Sequence, residues 1–191
     1  EFSSDMTSRV VSRIHEANVI RTVQFVEDAG PMAHPVQPDA YIEINNFYTT
    51  TVYNKGAEVI RMMRLLLGPQ KFREAMDYYF ETYDGQAVTI QEFVHSMETI
   101  SGMDLTQFKR WYKQSGTPLL SIDLAYSEKE KTATLKIQQT CPPTPNQPTK
   151  APFHIPLAMG LLSESGKPLL LTLAEDSELF TEKTRVLNIK R

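Results

Sequence analysis

One cysteine, Cys141, stands in 191 residues. No disulfide can close within the chain, which fits a reducing compartment, and the cytoplasm is the expected location. Charge of one sign is also missing: 20 Lys and Arg face 23 Asp and Glu, giving a net charge of -3 and a pI near 5.8. That balance leaves no electrostatic footprint for nucleic acid. No apolar run approaches the ~20 residues of a membrane span. The first residues, Glu1-Phe-Ser-Ser-Asp5, show no basic region followed by an apolar stretch, so no signal peptide is expected there. Short catalytic motifs are absent as well: no phosphate-binding glycine loop, no Cys-x-x-Cys, no Gly-x-Ser-x-Gly and no His-Glu-x-x-His. What remains is an ordinary globular composition, 41% apolar and 23% charged, in one large domain or two small ones.

The first part of the chain follows helical rules. Residues 6–28 carry Val10, Val11, Ile14, Val19, Ile20, Val23 and Phe25 at a partial three-to-four spacing, with Ser3, Ser4 and Asp5 as N-cap candidates. His15 lies in this helix without a second ligand at metal-binding spacing and reads as a surface histidine. Pro31, Pro35 and Pro38 then impose an extended, rigid loop, in which His34 of Ala-His-Pro reads as structural. Pro69 opens a helix whose Phe72, Ala75, Met76 and Tyr79 share a face. After an Asp84-Gly85 turn, Thr89-x-x-Glu92 has the form of a capping box. The helix it opens buries Phe93, Met97 and Ile100 and ends at Gly102. Asp104 caps a last helix with Leu105, Phe108, Trp111 and Tyr112 inside.

The periodicity changes at Ser115-Gly-Thr-Pro118. Leu120, Ile122, Leu124 and Tyr126 alternate with small or polar residues, and after the charged turn Glu128–Lys131 so do Ala133, Leu135 and Ile137. Cys141 to Pro152 is a proline-rich loop, read as a surface connection in preference to a peptide ligand for another domain. Further strands are expected over 153–161, 169–173 and 186–189. Together they predict an antiparallel sandwich with a boundary near residue 116.

The stretch from Asn45 to Gly68 stands apart. Its second half, with Ala57, Val59, Ile60, Met62, Met63, Leu65, Leu66 and Leu67, reads as a helix buried on nearly every side. Its first half holds two amides, two tyrosines and three threonines, and polar groups at the mouth of a buried helix are costly unless paired or used. Tyr48 and Tyr53, five apart, would point to different sides of a helix reaching back that far. Two readings of these tyrosines stay open on pattern alone: hydroxyls tied to backbone at the edge of a core, or chemistry.

The run Asn46-Phe-Tyr-Thr-x-Thr-Val-Tyr-x-Lys-Gly-Ala-Glu-Val-Ile-Arg-Met62 resembles the zinc aminopeptidases of the aminopeptidase N family, in which a near-identical segment follows the zinc site. The resemblance implies that residues 1–115 form the helical second half of a thermolysin-like catalytic domain. Residues 116–191 would form a partial immunoglobulin-like β-sandwich. It implies peptide substrates trimmed from the N-terminus, with Tyr53 stabilising the tetrahedral oxyanion and Asn45 and Tyr48 lining the pocket for the first side chain. Chemistry suits such a tyrosine: a neutral donor at pH 7 on a rigid helix. Zinc belongs to the full-length enzyme, held by histidines and a glutamate upstream of residue 1. This chain is therefore expected to be an inactive fragment without zinc, able to self-associate through an exposed strand edge. Asn54 departs from the acidic residue of close bacterial relatives, which bears on specificity. The alternative from another class is a non-catalytic helical and β-sandwich interaction module.

Overall fold

Local sequence rules account for most of the helices. The computed structural model describes residues 2–169 and 184–189. Helix α1 (Phe2–Val19) runs through a single-residue distortion at Ser8 into a π-turn at Ile20–Gln24 and then α2 (Phe25–Ala29). Ser3, Ser4 and Asp5 lie within the helix, so they are not the caps expected of them. The proline loop follows with no regular structure over 33–35. A 3₁₀ turn at Ile44–Phe47 and a second π-turn at Thr51–Lys55 lead into α3 (Gly56–Leu67). Helix α4 (Pro69–Tyr83) begins on its proline as predicted. Helix α5 (Ile90–Ser101) opens on the predicted capping box and stops at Gly102, whose left-handed φ of 71° suits a residue without Cβ. The last helical stretch is shorter than expected. Asp104 Oδ1 accepts from the Thr106 N–H at 2.9 Å, a series of turns follows, and only α6 (Arg110–Lys113) is regular helix.

Among the described residues the buried apolar side chains form one cluster. Val59, Met63 and Leu67, four apart, form one stripe of α3 against Ala75 of α4, Val94 and Met97 of α5, and Leu105, Phe108, Trp111 and Tyr112. This corrects the expectation of an all-round buried α3. The helix is amphipathic, with Val59, Met63 and Leu67 buried on one side and Arg64 and Leu65 exposed on the other. A second correction concerns α1 and the segment after it. Val10, Val11, Ile14, Val23 and Phe25 have the spacing of a core face yet are all exposed. Arg13 donates to both Glu58 carboxylate oxygens through its two terminal guanidinium nitrogens and ties α1 to α3.

Past the last helix the described strands form two antiparallel sheets. β1 (Leu119–Ser127) pairs with β2 (Thr132–Thr140), and β3 (Ile155–Leu162) lies between β4 (Pro168–Leu169) and β5 (Thr184–Ile189). In the hairpin Ile122 faces Ile137 and Leu124 faces Leu135, so the predicted alternation puts the apolar residues on one face. Among the described residues nothing closes over that face: Ile122, Leu124 and Tyr126 are exposed. Of the strand expected at 169–173, residues 170–173 lie outside the described residues.

The proline-rich loop is a surface connection between β2 and β3, as expected, and it is also pinned along its length. It lies against the end of the helical part and closes the junction. Lys150 Nζ donates to the Ser115 carbonyl at 2.9 Å, to Thr144 Oγ1 at 2.6 Å and to Gln147 Oε1 at 3.0 Å. Gln114 exchanges two 2.9 Å hydrogen bonds with the Ala151 backbone. Phe153, fully buried, stacks on Trp111 with ring centroids 4.2 Å apart, and the indole N–H donates to the His154 carbonyl at 2.8 Å. Gly116 sits under this loop with φ of 90°, where a Cβ would come within 3.1 Å of Cys141 Sγ and of Thr144 Cγ2. Glycine is required there on both counts.

Candidate functional site

Tyr53 stands on the π-turn Thr51–Lys55, a local widening of the helix that recurs at functional positions. Its backbone N–H is held by the Thr49 carbonyl at 3.1 Å, and the Thr49 hydroxyl accepts from Val52 N–H at 3.1 Å. Tyr48 precedes the helix with φ of -87° and ψ of 55°, outside helical geometry. The helix therefore does not reach back to it, and the two tyrosines do not point to different sides. Their rings stack, with centroids 6.0 Å apart and planes 20° apart. Both are open, Tyr53 at 59% and Tyr48 at 66% of full exposure. Asn45 is exposed on the preceding 3₁₀ turn, and its carbonyl accepts from the Tyr48 N–H at 3.2 Å. The three predicted site residues thus share one surface strip, with the two phenols in direct ring contact.

Exposure separates these phenols from the core ones. Tyr112 lines an apolar concavity of about 440 Å³ with Val36, Val52, Ile60 and Phe93. It is buried, and burial pushes its hydroxyl well above the ordinary tyrosine range. It packs in the core and does not face outward as Tyr53 does.

What holds the Tyr53 turn was not visible in the sequence. Glu27, in the middle of α2, accepts through Oε2 from both the N–H and the hydroxyl of Thr51, at 3.0 and 3.1 Å. Gln24, on the first π-turn and buried, donates to the same hydroxyl at 3.3 Å. At the other end of the turn, Lys55 Nζ donates to Asp28 Oδ2 at 2.7 Å and to the Gly116 carbonyl at 2.9 Å. Asp28 also accepts from the Thr117 hydroxyl at 2.8 Å. Lys55 is 6% exposed and Asp28 3%, so this is a buried ion pair. Burial alone would raise the Asp28 carboxyl. The Lys55 charge and the hydrogen bonds from Lys55, Gln24 and Thr117 outweigh it and hold Asp28 below the ordinary carboxylate value. One clue was available: a lysine at the entrance of an apolar helix needs a partner if it is buried.

The histidines fall in four different places. His15 and His95 are exposed on separate helices. His34 Nδ1 lies 2.8 Å from the Pro35 carbonyl and Nε2 lies 3.7 Å from Glu27 Oε1, while His154 is buried with its ring edge-on to Phe108.

The comparisons with known proteins decide the family. The profile of the peptidase family M1 domain matches residues 2–112. The chain belongs to peptidase family M1. A second profile, an Ig-like fold domain of unknown function (DUF3458), matches residues 116–190 of this M1 chain. Over 171 residues the chain is 52% identical to aminopeptidase N of Escherichia coli, covering 90% of the chain and 20% of that protein. Over 190 residues it is 50% identical to aminopeptidase N of Haemophilus influenzae, covering 97% of the chain and 22% of that protein. Among solved structures, Legionella pneumophila aminopeptidase A in complex with aspartic acid superposes with a TM-score of 0.66 at 28% identity, over 85% of this chain and 17% of the other. The M1 chain therefore spans about a fifth of the length of the relatives it matches.

Aminopeptidases of family M1 are zinc enzymes. Among the described residues no group of three or more His, Cys, Asp or Glu side chains comes together to hold a metal. The described residues therefore offer no ligand set that fits zinc.

Proposed function

We propose that this chain supplies the helical half of the catalytic domain, residues 1–115, and part of the Ig-like domain, residues 116–191, of a zinc aminopeptidase. The enzyme removes N-terminal residues from peptides, and the ligands of its zinc lie outside this chain. Half-identity to two bacterial proteins named aminopeptidase N supports the activity. The observation that carries the role of this chain is Tyr53, an exposed phenol on a turn anchored at both ends. Attack on the first peptide bond places negative charge on the former carbonyl oxygen, and a fixed donor aimed at that oxygen lowers the barrier. Tyr53 donates its O–H there, while Tyr48, stacked against it, and Asn45 border the pocket for the first side chain. Nothing observed favours a non-catalytic interaction module instead.

The test is Tyr53→Phe in the full-length enzyme, assayed on an alanine chromogenic amide. Turnover should fall by roughly 10²–10³, the usual loss for one oxyanion donor, with a smaller change in KM. An unchanged kcat would remove Tyr53 from this role.

A further inference from the structure

We infer that Glu27 and Asp28 are positioning residues that clamp the Tyr53 turn from its two ends. This inference rests on the reading of Tyr53 as the oxyanion donor. The two carboxylates are consecutive in sequence, yet each holds a different terminus of the same five-residue turn. Glu27 takes the N-terminal end, where the Thr51 N–H and hydroxyl converge on one of its oxygens at 3.0 and 3.1 Å. A carboxylate is well matched to that position because unpaired N–H groups leave the start of a helix partly positive. Asp28 takes the C-terminal end through the Lys55 ammonium at 2.7 Å.

The geometry leaves the turn little freedom. Thr51 and Lys55 are both buried, and Tyr53 lies midway between them with its ring outside. Thr51 has its hydroxyl hydrogen engaged by Glu27 and a lone pair engaged by Gln24, so its side chain cannot rotate without breaking a bond. The two π-turns, Ile20–Gln24 and Thr51–Lys55, pack on each other across this contact. The His34 ring lies beside the second Glu27 oxygen at 3.7 Å and flanks the carboxylate on that side. Lys55 and Asp28 in turn bond to Gly116 and Thr117, which lead into β1. The helical part and the start of the Ig-like part thus act on one turn, and an exposed phenol gains a fixed position that its own side chain does not provide.

The experiment is a double-mutant cycle in the full-length enzyme, with kcat and KM measured on an alanine chromogenic amide. Glu27→Ala should lower kcat by about tenfold or more, since small displacements of a catalytic group carry penalties of that order. Glu27→Gln, which keeps a neutral acceptor for the Thr51 N–H, should recover much of the loss. In the Tyr53→Phe background the same Glu27→Ala change should leave kcat within about twofold, because no hydroxyl remains to misplace. Losses that multiply in the double variant would overturn the clamp while leaving the role of Tyr53 in place. An unchanged kcat in Tyr53→Phe alone would overturn both. If Glu27→Ala does not fold, Thr51→Ala, which deletes only the hydroxyl side of the contact, takes its place in the cycle with the same outcomes.

Discussion

Removing Asp28 should loosen the junction between the helical and Ig-like parts, and the single tryptophan sits where it can report this. Asp28 and Lys55 are buried together, so Asp28→Ala leaves an ammonium with one remaining acceptor, the Gly116 carbonyl at 2.9 Å. Breaking a buried pair by deleting one partner costs about 3–5 kcal/mol. The surviving acceptor argues for the lower end of that range, and the hydroxyl of Thr117 loses its acceptor as well. With a urea slope of about 2 kcal/mol per molar, a loss of ~3 kcal/mol lowers the midpoint by ~1.5 M. Trp111 is the one tryptophan in the chain and stacks on Phe153 at this junction, so its emission follows the transition. Acid adds a second reading of the same pair. The folded carboxyl titrates below its unfolded value. Its contribution is therefore present above the unfolded pKa of ~3.9 and is lost as pH falls through the folded pKa. Asp28→Asn should lack that part of the acid limb while retaining acceptors for Thr117. A midpoint shift below about 0.3 M for Asp28→Ala, a difference of only ~0.6 kcal/mol at that slope, would refute the claim that the pair holds the junction.

Other outcomes follow from the same contacts. Phe153→Ala should cost about 3–5 kcal/mol in urea unfolding, as a fully buried aromatic lost from a core, and should red-shift Trp111 emission in the folded state. Gly116→Ala should destabilise by about 1–3 kcal/mol or more, since a positive φ and two close contacts act together, and a wild-type midpoint would contradict the assigned backbone. The open apolar face of the β1–β2 hairpin should drive self-association of the isolated chain. Sedimentation at rising concentration should show larger species, and Leu124→Lys should reduce them; a monomer throughout would count against it. The isolated chain, given zinc, should neither turn over an alanine chromogenic amide nor bind the metal stoichiometrically, which metal analysis of the dialysed protein checks.

The parts of the fold that were legible are those governed by neighbours in sequence. Pro69 starts α4, Thr89 and Glu92 cap α5, Gly102 ends it, and the alternation of Leu120 to Tyr126 marks β1, all through contacts within a few residues. Apolar spacing served less well, because it reports that a face is to be covered and not what covers it. Val10, Val11 and Ile14 have the spacing of a buried face and are exposed, whereas α3, apolar almost throughout, buries one stripe. The strip of Asn45, Tyr48 and Tyr53 was found through family likeness, since its residues are exposed and periodicity gives exposed polar residues no signature.

The clamp was illegible for a different reason. Glu27 lies 24 residues from Thr51, and Asp28 lies 27 from Lys55 and 89 from Thr117. Nothing in a local window distinguishes Glu27-Asp28 from any acidic pair at the end of a surface helix. Their importance arises only when the chain folds back and places both beside the turn of Tyr53. Such a contact is also the kind that precision requires. A side chain on the surface is fixed by its backbone, and a backbone turn is fixed most firmly by groups remote in sequence, because local contacts move with it. The Tyr53 turn is held by α2 on one side and by the Gly116–Thr117 link on the other. Perturbing either is therefore expected to reach the phenol, and Thr117→Val in the full-length enzyme should lower kcat on an alanine chromogenic amide without touching Asn45, Tyr48 or Tyr53.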